Sequence, residues 1–256
     1  MTAAARPLRL ALVAGEPSGD QLGAAVVAAL RQRCPALHIE GVGGPALAAQ
    51  GLVSAYPLER LTVMGLVEPL RRLPELWRLR ARLARQWRAL PPDLFLGIDA
   101  PDFNLGLERR LRRAGIATAH LVSPTLWAWR PGRIRTVVAA TDLMLTLFPF
   151  ETAIYQQHAV PVVHVGHPLA DTLQAQPDTL PARRRLGLPA HAPVLALLPG
   201  SRAHEVAALA PDFLRAARLL RLRHPELQIL IPAANAARYA ELAALQQAEA
   251  FADLPI

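Results

Sequence analysis

Short apolar runs alternate with segments of helical period from near the start of the chain. Leu8–Ala14 reads as a buried strand, and Gly19–Gln32 as a helix with apolar positions at Leu22, Val26, Val27 and Leu30. Ser18 with Gln21 three residues later matches a capping box, which puts the helix start at that point. His38–Val42, Leu94–Ile98, Ala117–Val122, Leu143–Leu147 and Val162–Val165 continue the strand series, with a helix over Phe103–Arg113 between two of them. Continuous apolar strands separated by helices predict an α/β fold with a parallel, doubly wound sheet covered on both faces.

The texture changes at Gln174–Pro193, where Pro177, Pro181, Pro189 and Pro193 interrupt any period and suggest a linker. A new strand–helix series then opens with Val194–Leu198, the turn Pro199-Gly200-Ser201 and a helix over Ala203–Arg223. A strand Gln228–Ile231 and a helix Ala236–Ala250 follow. The expected organisation is a first domain over 1–173, a linker over 174–193 and a second domain over 194–256. Two strand–helix units cannot bury both faces of an open parallel sheet, so the second domain is expected to be incomplete.

Leu61–Leu90 is amphipathic and rich in arginine. Leu66, Leu70, Leu73 and Trp77 share one face, and Leu76, Leu79, Leu83, Trp87 and Leu90 repeat the pattern one face over. Pro69 and Pro74 are expected to divide the stretch into two shorter helices. Leu76–Leu90 reads as a core-facing helix with a solvated basic side. For Leu61–Leu73 two readings stand: a core face, or a helix lying in the interface of an anionic membrane. In the second, Leu66, Leu70, Leu73 and Trp77 enter the lipid, and Arg71 and Arg72 meet its headgroups.

An apolar fraction of 52% excludes a disordered chain. No apolar run reaches the ~18 residues a membrane-spanning helix needs. The lone Cys34 excludes a disulfide framework and fits a reducing cytoplasm. All 28 basic residues are arginine, and the net charge of +8 calls for an anionic partner: nucleic acid, anionic lipid or a phosphorylated substrate. With 5% aromatics and no nucleic-acid module, nucleic acid is set aside.

Ligands of a doubly wound sheet bind beyond the carboxyl ends of its strands, so the strand-to-helix turns carry the candidate chemistry. Gly15-Glu16-Pro17-Ser18-Gly19-Asp20 lacks the G-x-G-x-x-G pattern, which argues against a nicotinamide dinucleotide enzyme, and read alone it is a capped turn. Gly97-Ile98-Asp99-Ala100-Pro101-Asp102-Phe103-Asn104 places two carboxylates and an amide at a strand end. Helix capping explains Asp102 but not Asp99, which precedes the cap, so Asp99 is the candidate general base. Ser123-Pro124 and Trp127-Ala128-Trp129-Arg130 offer ring faces for a sugar and a guanidinium for a phosphate. His120 between them reads as a core histidine. In the second domain, Gly200-Ser201-Arg202 opens a helix with free N–H groups and an arginine suited to a diphosphate, with Glu205 one turn on. Gly166-His167-Pro168 reads as a hinge or as plain structure.

Together with Val63-Met64-Gly65 and Phe148-Pro149-Phe150-Glu151, these segments resemble lipid-A-disaccharide synthases, in order along almost the whole chain. The resemblance implies a GT-B-like α/β fold: a complete N-terminal Rossmann-like sheet that binds acceptor and membrane, and a partial second Rossmann-like domain for the nucleotide sugar. It implies an inverting, metal-independent and cofactor-free transfer of 2,3-diacylglucosamine from UDP-2,3-diacylglucosamine to 2,3-diacylglucosamine 1-phosphate, giving a β-1,6 disaccharide and UDP. Asp99 then falls on the base for the acceptor 6-hydroxyl, and Arg202 on the arginine near the donor diphosphate. Glu16, Ser18, Asp102, Asn104, Ser123, Trp127, Trp129, Arg130, Ser201 and Glu205 are the expected substrate contacts. The resemblance also implies peripheral attachment to anionic lipids of the inner membrane from the cytoplasm. Full-length relatives continue past Ile256 with uridine-holding residues and a surface that can contribute to homodimers, so a non-catalytic remnant that binds lipid acceptor or membrane is the alternative expectation.

Overall fold

In a computed structural model of the chain, residues 6–58, 61, 68–128, 131–173 and 177–248 are described, with backbone alone for 68–72 and 248. They form two compact units, Met1–Gln174 and Ala175–Ile256. The first unit runs β1 (Arg9–Ala14), α1 (Pro17–Arg33), β2 (His38–Val42), α2 (Pro45–Ala49), α3 (Glu68–Ala89), β3 (Leu94–Ile98), α4 (Pro101–Arg112), β4 (Thr118–Leu121), α5 (Ile134–Ala140), β5 (Leu143–Thr146), α6 (Glu151–Gln156), β6 (Val162–His164) and α7 (Pro168–Thr172). The second holds α8 (Leu180–Arg185), β7 (Val194–Ala196), α9 (Ala203–Arg223), β8 (Gln228–Leu230) and α10 (Ala236–Ala248).

Six parallel strands make one sheet in the order β2-β1-β3-β4-β5-β6. The order reverses at β1, whose neighbours are β2 and β3, in the register Leu12 with Gly41 and Leu12 with Leu96. Side chains alternate across the pleat. Leu10, Leu12 and Ala14 pack with Leu22 and Val27 of α1 and Leu47 of α2, while Ala11 and Val13 pack with α3 and α4 through Leu83, Trp87, Phe103 and Leu107. Both faces are therefore covered, as the unbroken apolar strands require. The second unit is smaller. β7 and β8 pair in parallel, and Val206, Ala210 and Leu214 of α9 join Ile229, Ile231 and Leu242 in its core.

Three local expectations change. α1 begins at Pro17 with Glu16 as N-cap and no side-chain capping bond, so Ser18 and Gln21 do not form a capping box. Proline at the first helical position sacrifices only an N–H that has no partner inside the helix, which lets the helix start earlier. α3 is one helix with Pro74 inside it rather than two. Pro69 lies in the first turn, where it is tolerated. The bond lost at Pro74 is outweighed by burial of Leu79, Leu83 and Trp87 further along the same helix. The segment expected as linker contains α8, whose Arg183 Nη1 donates to Pro189 O at 2.9 Å and Ala192 O at 2.8 Å.

Candidate functional site

The strand order reverses between β1 and β3, which in a doubly wound sheet marks the ligand crevice beyond the carboxyl ends of the strands, and the loops after both strands meet there. A side chain on Gly15 would put its Cβ 2.1 Å from the Cβ of Ala100, so the first loop can approach the second only as glycine. Among the described residues four non-glycine residues have positive φ, and three of them cluster here: Asp99 (53°), Ala100 (42°) and Val122 (79°). Left-handed backbone costs such residues about 1–3 kcal/mol each and persists only where surrounding structure enforces it.

Asn104 does much of that enforcing. It is fully buried, and its Nδ2 donates to Asp99 O at 2.8 Å, Val13 O at 3.1 Å and Ile98 O at 3.3 Å. One amide thus ties the ends of β1 and β3 to the first turn of α4. The Asp99 N–H continues the sheet by donating to Leu121 O at 2.9 Å. The Asp99 side chain itself is half-buried, and among the described residues its carboxylate has no hydrogen-bond partner. It stands at the crevice as an acceptor with free capacity.

A second buried device lies one helical turn further along α4. Glu108 and His120 are both fully buried, with Glu108 Oε1 2.6 Å from His120 Nδ1, and Thr141 Oγ1 donates to Glu108 Oε2 at 2.7 Å. Gly97 makes room for this pair, since a Cβ there would lie 2.0 Å from Glu108 Oε1. His120 is thus a core residue, held from one side. Its Nε2 is buried without a partner among the described residues.

Several expected contacts are committed elsewhere. Asn104 faces inward and cannot also reach a substrate. Ser123 is buried, with its Oγ 2.6 Å from Tyr155 Oη, and burial pushes the Tyr155 phenol up to about 12. Asp102 is not the cap of α4: that position belongs to Ala100, and Asp102 sits in the first turn, paired with Arg133. Asp20 is also structural, because its carboxylate accepts from the N–H groups of Gly44, Ala46 and Leu47 at 2.7, 2.8 and 3.2 Å and closes the start of α2. His167 caps α7 through an Nδ1 that accepts from Leu169 N–H at 3.1 Å.

The remaining expected positions surround the crevice or lie apart from it. Glu16 is half-buried at the start of α1, and Ser18 is exposed in its first turn. Trp127 is 56% exposed and meets Phe150 edge-on at 5.6 Å, while Phe150 stacks on Phe148 at 5.8 Å. The two phenylalanines complete an exposed aromatic cluster beyond β4 and β5, which the sequence shows as a motif without assigning it to the site. The signal is there to be read, since two aromatics flanking Pro149 at a strand end cannot both point into a core. Trp129, Arg130, Leu66 and the Val63-Met64-Gly65 motif lie outside the described residues, as do the side chains of Leu70, Arg71 and Arg72. Leu73 is half-buried and Trp77 is exposed on α3, and no described helix is long and apolar enough to cross a membrane.

In the second unit, Glu205 reaches back over the start of α9. Its Oε2 accepts from Ser201 N–H at 3.1 Å and Arg202 N–H at 3.2 Å, and its Oε1 from Arg202 Nη1 at 2.9 Å. These bonds, the Arg202 guanidinium first, hold the Glu205 carboxyl below its ordinary value. Gly200 has φ 130° and no room for a side chain, because a Cβ would meet that of Glu205 at 2.5 Å. The N–H groups expected to be free at this helix start are therefore taken by Glu205, because an acidic side chain at the third helical position reaches back to close its own cap, and Arg202 is held beside it as an ion pair. Among the described residues no three His, Cys, Asp or Glu side chains converge as metal ligands would.

Comparison with known proteins places this geometry. The Neisseria meningitidis UDP-GlcNAc 2-epimerase, solved bound to UDP-GlcNAc, superposes with a TM-score of 0.59 at 12% identity, over 94% of this chain and 68% of that one. A glycosyltransferase of kitacinnamycin superposes with a TM-score of 0.53 at 13% identity, over 88% of this chain and 66% of that one. These likenesses show the fold: α/β and GT-B-like, with this chain covering part of the full-length architecture. The lipid-A-disaccharide synthase of Chromohalobacter salexigens is 54% identical over 238 residues, which is 93% of this chain and 62% of that protein. The lipid-A-disaccharide synthase of Pseudomonas aeruginosa (strain LESB58) is 54% identical over 240 residues, 94% of this chain and 64% of that protein. The chain therefore spans less than two thirds of the length of these relatives. The sequence model of lipid-A-disaccharide synthetases matches residues 10–253, nearly the whole chain, and the chain belongs to that family.

Proposed function

We propose that the chain carries the acceptor-activating part of a glycosyl transfer that joins two diacylglucosamines. In this reading 2,3-diacylglucosamine 1-phosphate binds at the β1/β3 crevice of the first unit, and Asp99 is the general base. Its carboxylate takes the proton of the acceptor 6-hydroxyl as that oxygen bonds to the anomeric carbon of UDP-2,3-diacylglucosamine. The carbon–oxygen bond to UDP breaks, UDP leaves with the electron pair, and inversion gives the β-1,6 link. Arg202 of the second unit, with its guanidinium positioned by Glu205, binds the diphosphate on which negative charge grows. Trp127, with Phe148 and Phe150, provides ring faces for the substrate, and Trp77 of α3 an anchor at an anionic membrane surface.

The observation that carries the reading is the Asp99 carboxylate, without a partner among the described residues on a backbone that Asn104 holds in a left-handed turn. A base must have a lone pair free and start from a defined place; the carboxylate of Asp99 offers the first, and the bond from Asn104 to its backbone carbonyl supports the second. A non-catalytic role in binding lipid acceptor or membrane is the second reading, for which exposed Trp77 and the cluster of Trp127, Phe150 and Phe148 offer contact surfaces.

Turnover and acceptor binding by the purified chain separate the two. Catalysis predicts disaccharide and UDP formation that falls by about 10²-fold or more in Asp99→Asn, with acceptor affinity changed only a few-fold. Acceptor binding without product supports the second reading. A variant Asp99→Asn that turns over as fast as the parent sinks the assignment of Asp99 as base.

A further inference from the structure

α3 ends just before β3 and α4 just before β4, so the carboxyl ends of both helices lie at the amino ends of these strands, away from Asp99. Along the seam between the two helices arginines occur in two kinds of setting. Near the site, Arg80 is embedded: its Nη2 donates to Asp102 O at 2.7 Å, and its guanidinium lies 5.1 Å from the centre of the Phe103 ring. Gly106 leaves the space, since a Cβ there would be 2.6 Å from Arg80 Nη1.

At the far end the seam opens into a groove of about 390 Å³ that is floored by Ala81 and Ala84. Arg85 and Arg88 line it from α3, Arg110 and Arg113 from α4. All four are exposed, and among the described residues none has a carboxylate partner. Arg112, between the last two in sequence, is engaged differently, donating to Asp142 at 2.7 Å and to Val138 O at 2.6 Å.

Basic side chains at a helix carboxyl end complement the helix dipole, and that accounts for Arg88, Arg110 and Arg113. It does not account for Arg85, a turn further in, nor for two helices that bring four like charges to one recess. Burial, and after it the charge of Arg110, already holds the Arg80 guanidinium below its ordinary value. Four guanidinium-bearing side chains lining one groove repel one another, an anion among them relieves that repulsion, and a guanidinium pairs with two oxygens of a phosphate at once. We propose that this groove binds a phosphate-bearing anion, at a site separate from the strand-end crevice and from Arg202. A lipid headgroup and a soluble phosphorylated compound present the same chemistry to it.

The test uses two probes on the purified 256-residue chain: calorimetric titration with inorganic pyrophosphate, and sedimentation with phosphatidylglycerol or phosphatidylcholine vesicles. Arg110→Gln/Arg113→Gln alters one wall and Arg85→Gln/Arg88→Gln the other. Every protein tested carries Arg202→Gln, so that pyrophosphate held by the arginine of the second unit does not enter the titration, and Arg33→Gln, in the last turn of α1, is the helix-end control. Thermal melting confirms that each variant is folded, and because all four groove arginines are exposed, each pair can be changed without opening the core. The expected result is salt-sensitive binding of pyrophosphate, of phosphatidylglycerol vesicles or of both, weakened about tenfold or more by either groove pair and unchanged in Arg33→Gln. Binding to vesicles alone assigns the phosphate to a lipid headgroup, and binding of pyrophosphate assigns a soluble phosphate as sufficient; both support the site. The finding that neither probe binds overturns it. So does binding that neither groove pair weakens, or that falls equally in Arg33→Gln.

Discussion

Replacing Asn104 with leucine tests whether one buried amide sets the geometry of the crevice. Its Nδ2 faces three carbonyl oxygens at 2.8, 3.1 and 3.3 Å, while its Oδ1 is buried without a partner among the described residues. The desolvation of that oxygen is a standing cost, so the residue stabilises through its donors alone. Asn104→Leu removes two N–H donors and strands buried carbonyls, at about 1–3 kcal/mol for each group left unsatisfied. Burial of the added apolar surface offsets about 1 kcal/mol of this. The expected net loss is about 2–4 kcal/mol. Tryptophan fluorescence during urea unfolding is a clean assay, because Trp77, Trp87, Trp127 and Trp129 all lie in the first unit and report on it alone. Asn104→Asp sharpens the result. At neutral pH it sets a carboxylate against three carbonyl oxygens, so its folded-state pKa is raised. The protonated variant is the more stable form, and its deficit shrinks as the pH falls below that raised value. An Asn104→Leu chain within about 0.5 kcal/mol of the parent would refute the argument that this amide holds Asp99 in place.

Two further outcomes follow from the same neighbourhood. Gly97→Ala drives a methyl group to 2.0 Å from the Glu108 carboxylate, which His120 and Thr141 hold in place, and should destabilise the first unit by about 3 kcal/mol or more. Gly132→Ala, with open space around it, should be near neutral in the same urea titration. The Tyr155 phenol, raised from 10 to about 12 by burial, favours the folded state below pH 10, and that contribution is lost as the pH rises through 12. A rise of that size corresponds to about 3 kcal/mol, so alkaline unfolding followed by tryptophan fluorescence should be delayed in Tyr155→Phe, which has no proton to lose.

Strand and helix positions are legible because burial on both faces leaves an unmistakable pattern: His38–Val42 and Leu94–Ile98 form strands as their apolar runs predict, and α9 spans the residues expected of it. Pro74 misleads because proline's local penalty is visible in the sequence, whereas the downstream burial that outweighs it is not. Asp99 stands out in the sequence by lying ahead of Asp102 as the expected cap, but the cap is Ala100, so the candidacy of Asp99 rests instead on a carboxylate that only the coordinates show to be without a partner among the described residues. Asn104 and Ser123 read as substrate contacts because polarity near a strand end looks the same whether a side chain points out or in.

The sequence by itself determined the periodicity, the two-part organisation and the polar turns at the strand ends, since each depends on residues near one another in the chain. Only the tertiary structure decided which turns meet. The β2-β1-β3 order brings Gly15 against Ala100, sets Asn104 beneath Asp99 across a separation of 91 residues from Val13, and joins Glu108 to His120. Such contacts follow from which strand lies beside which, a choice made by packing over the whole sheet and recorded in no single segment. The same holds for the arginines. Their charge is plain in the composition, but only the packing of α3 on α4 separates guanidinium groups engaged within the fold, such as those of Arg80 and Arg112, from the four that share a groove with no carboxylate partner among the described residues.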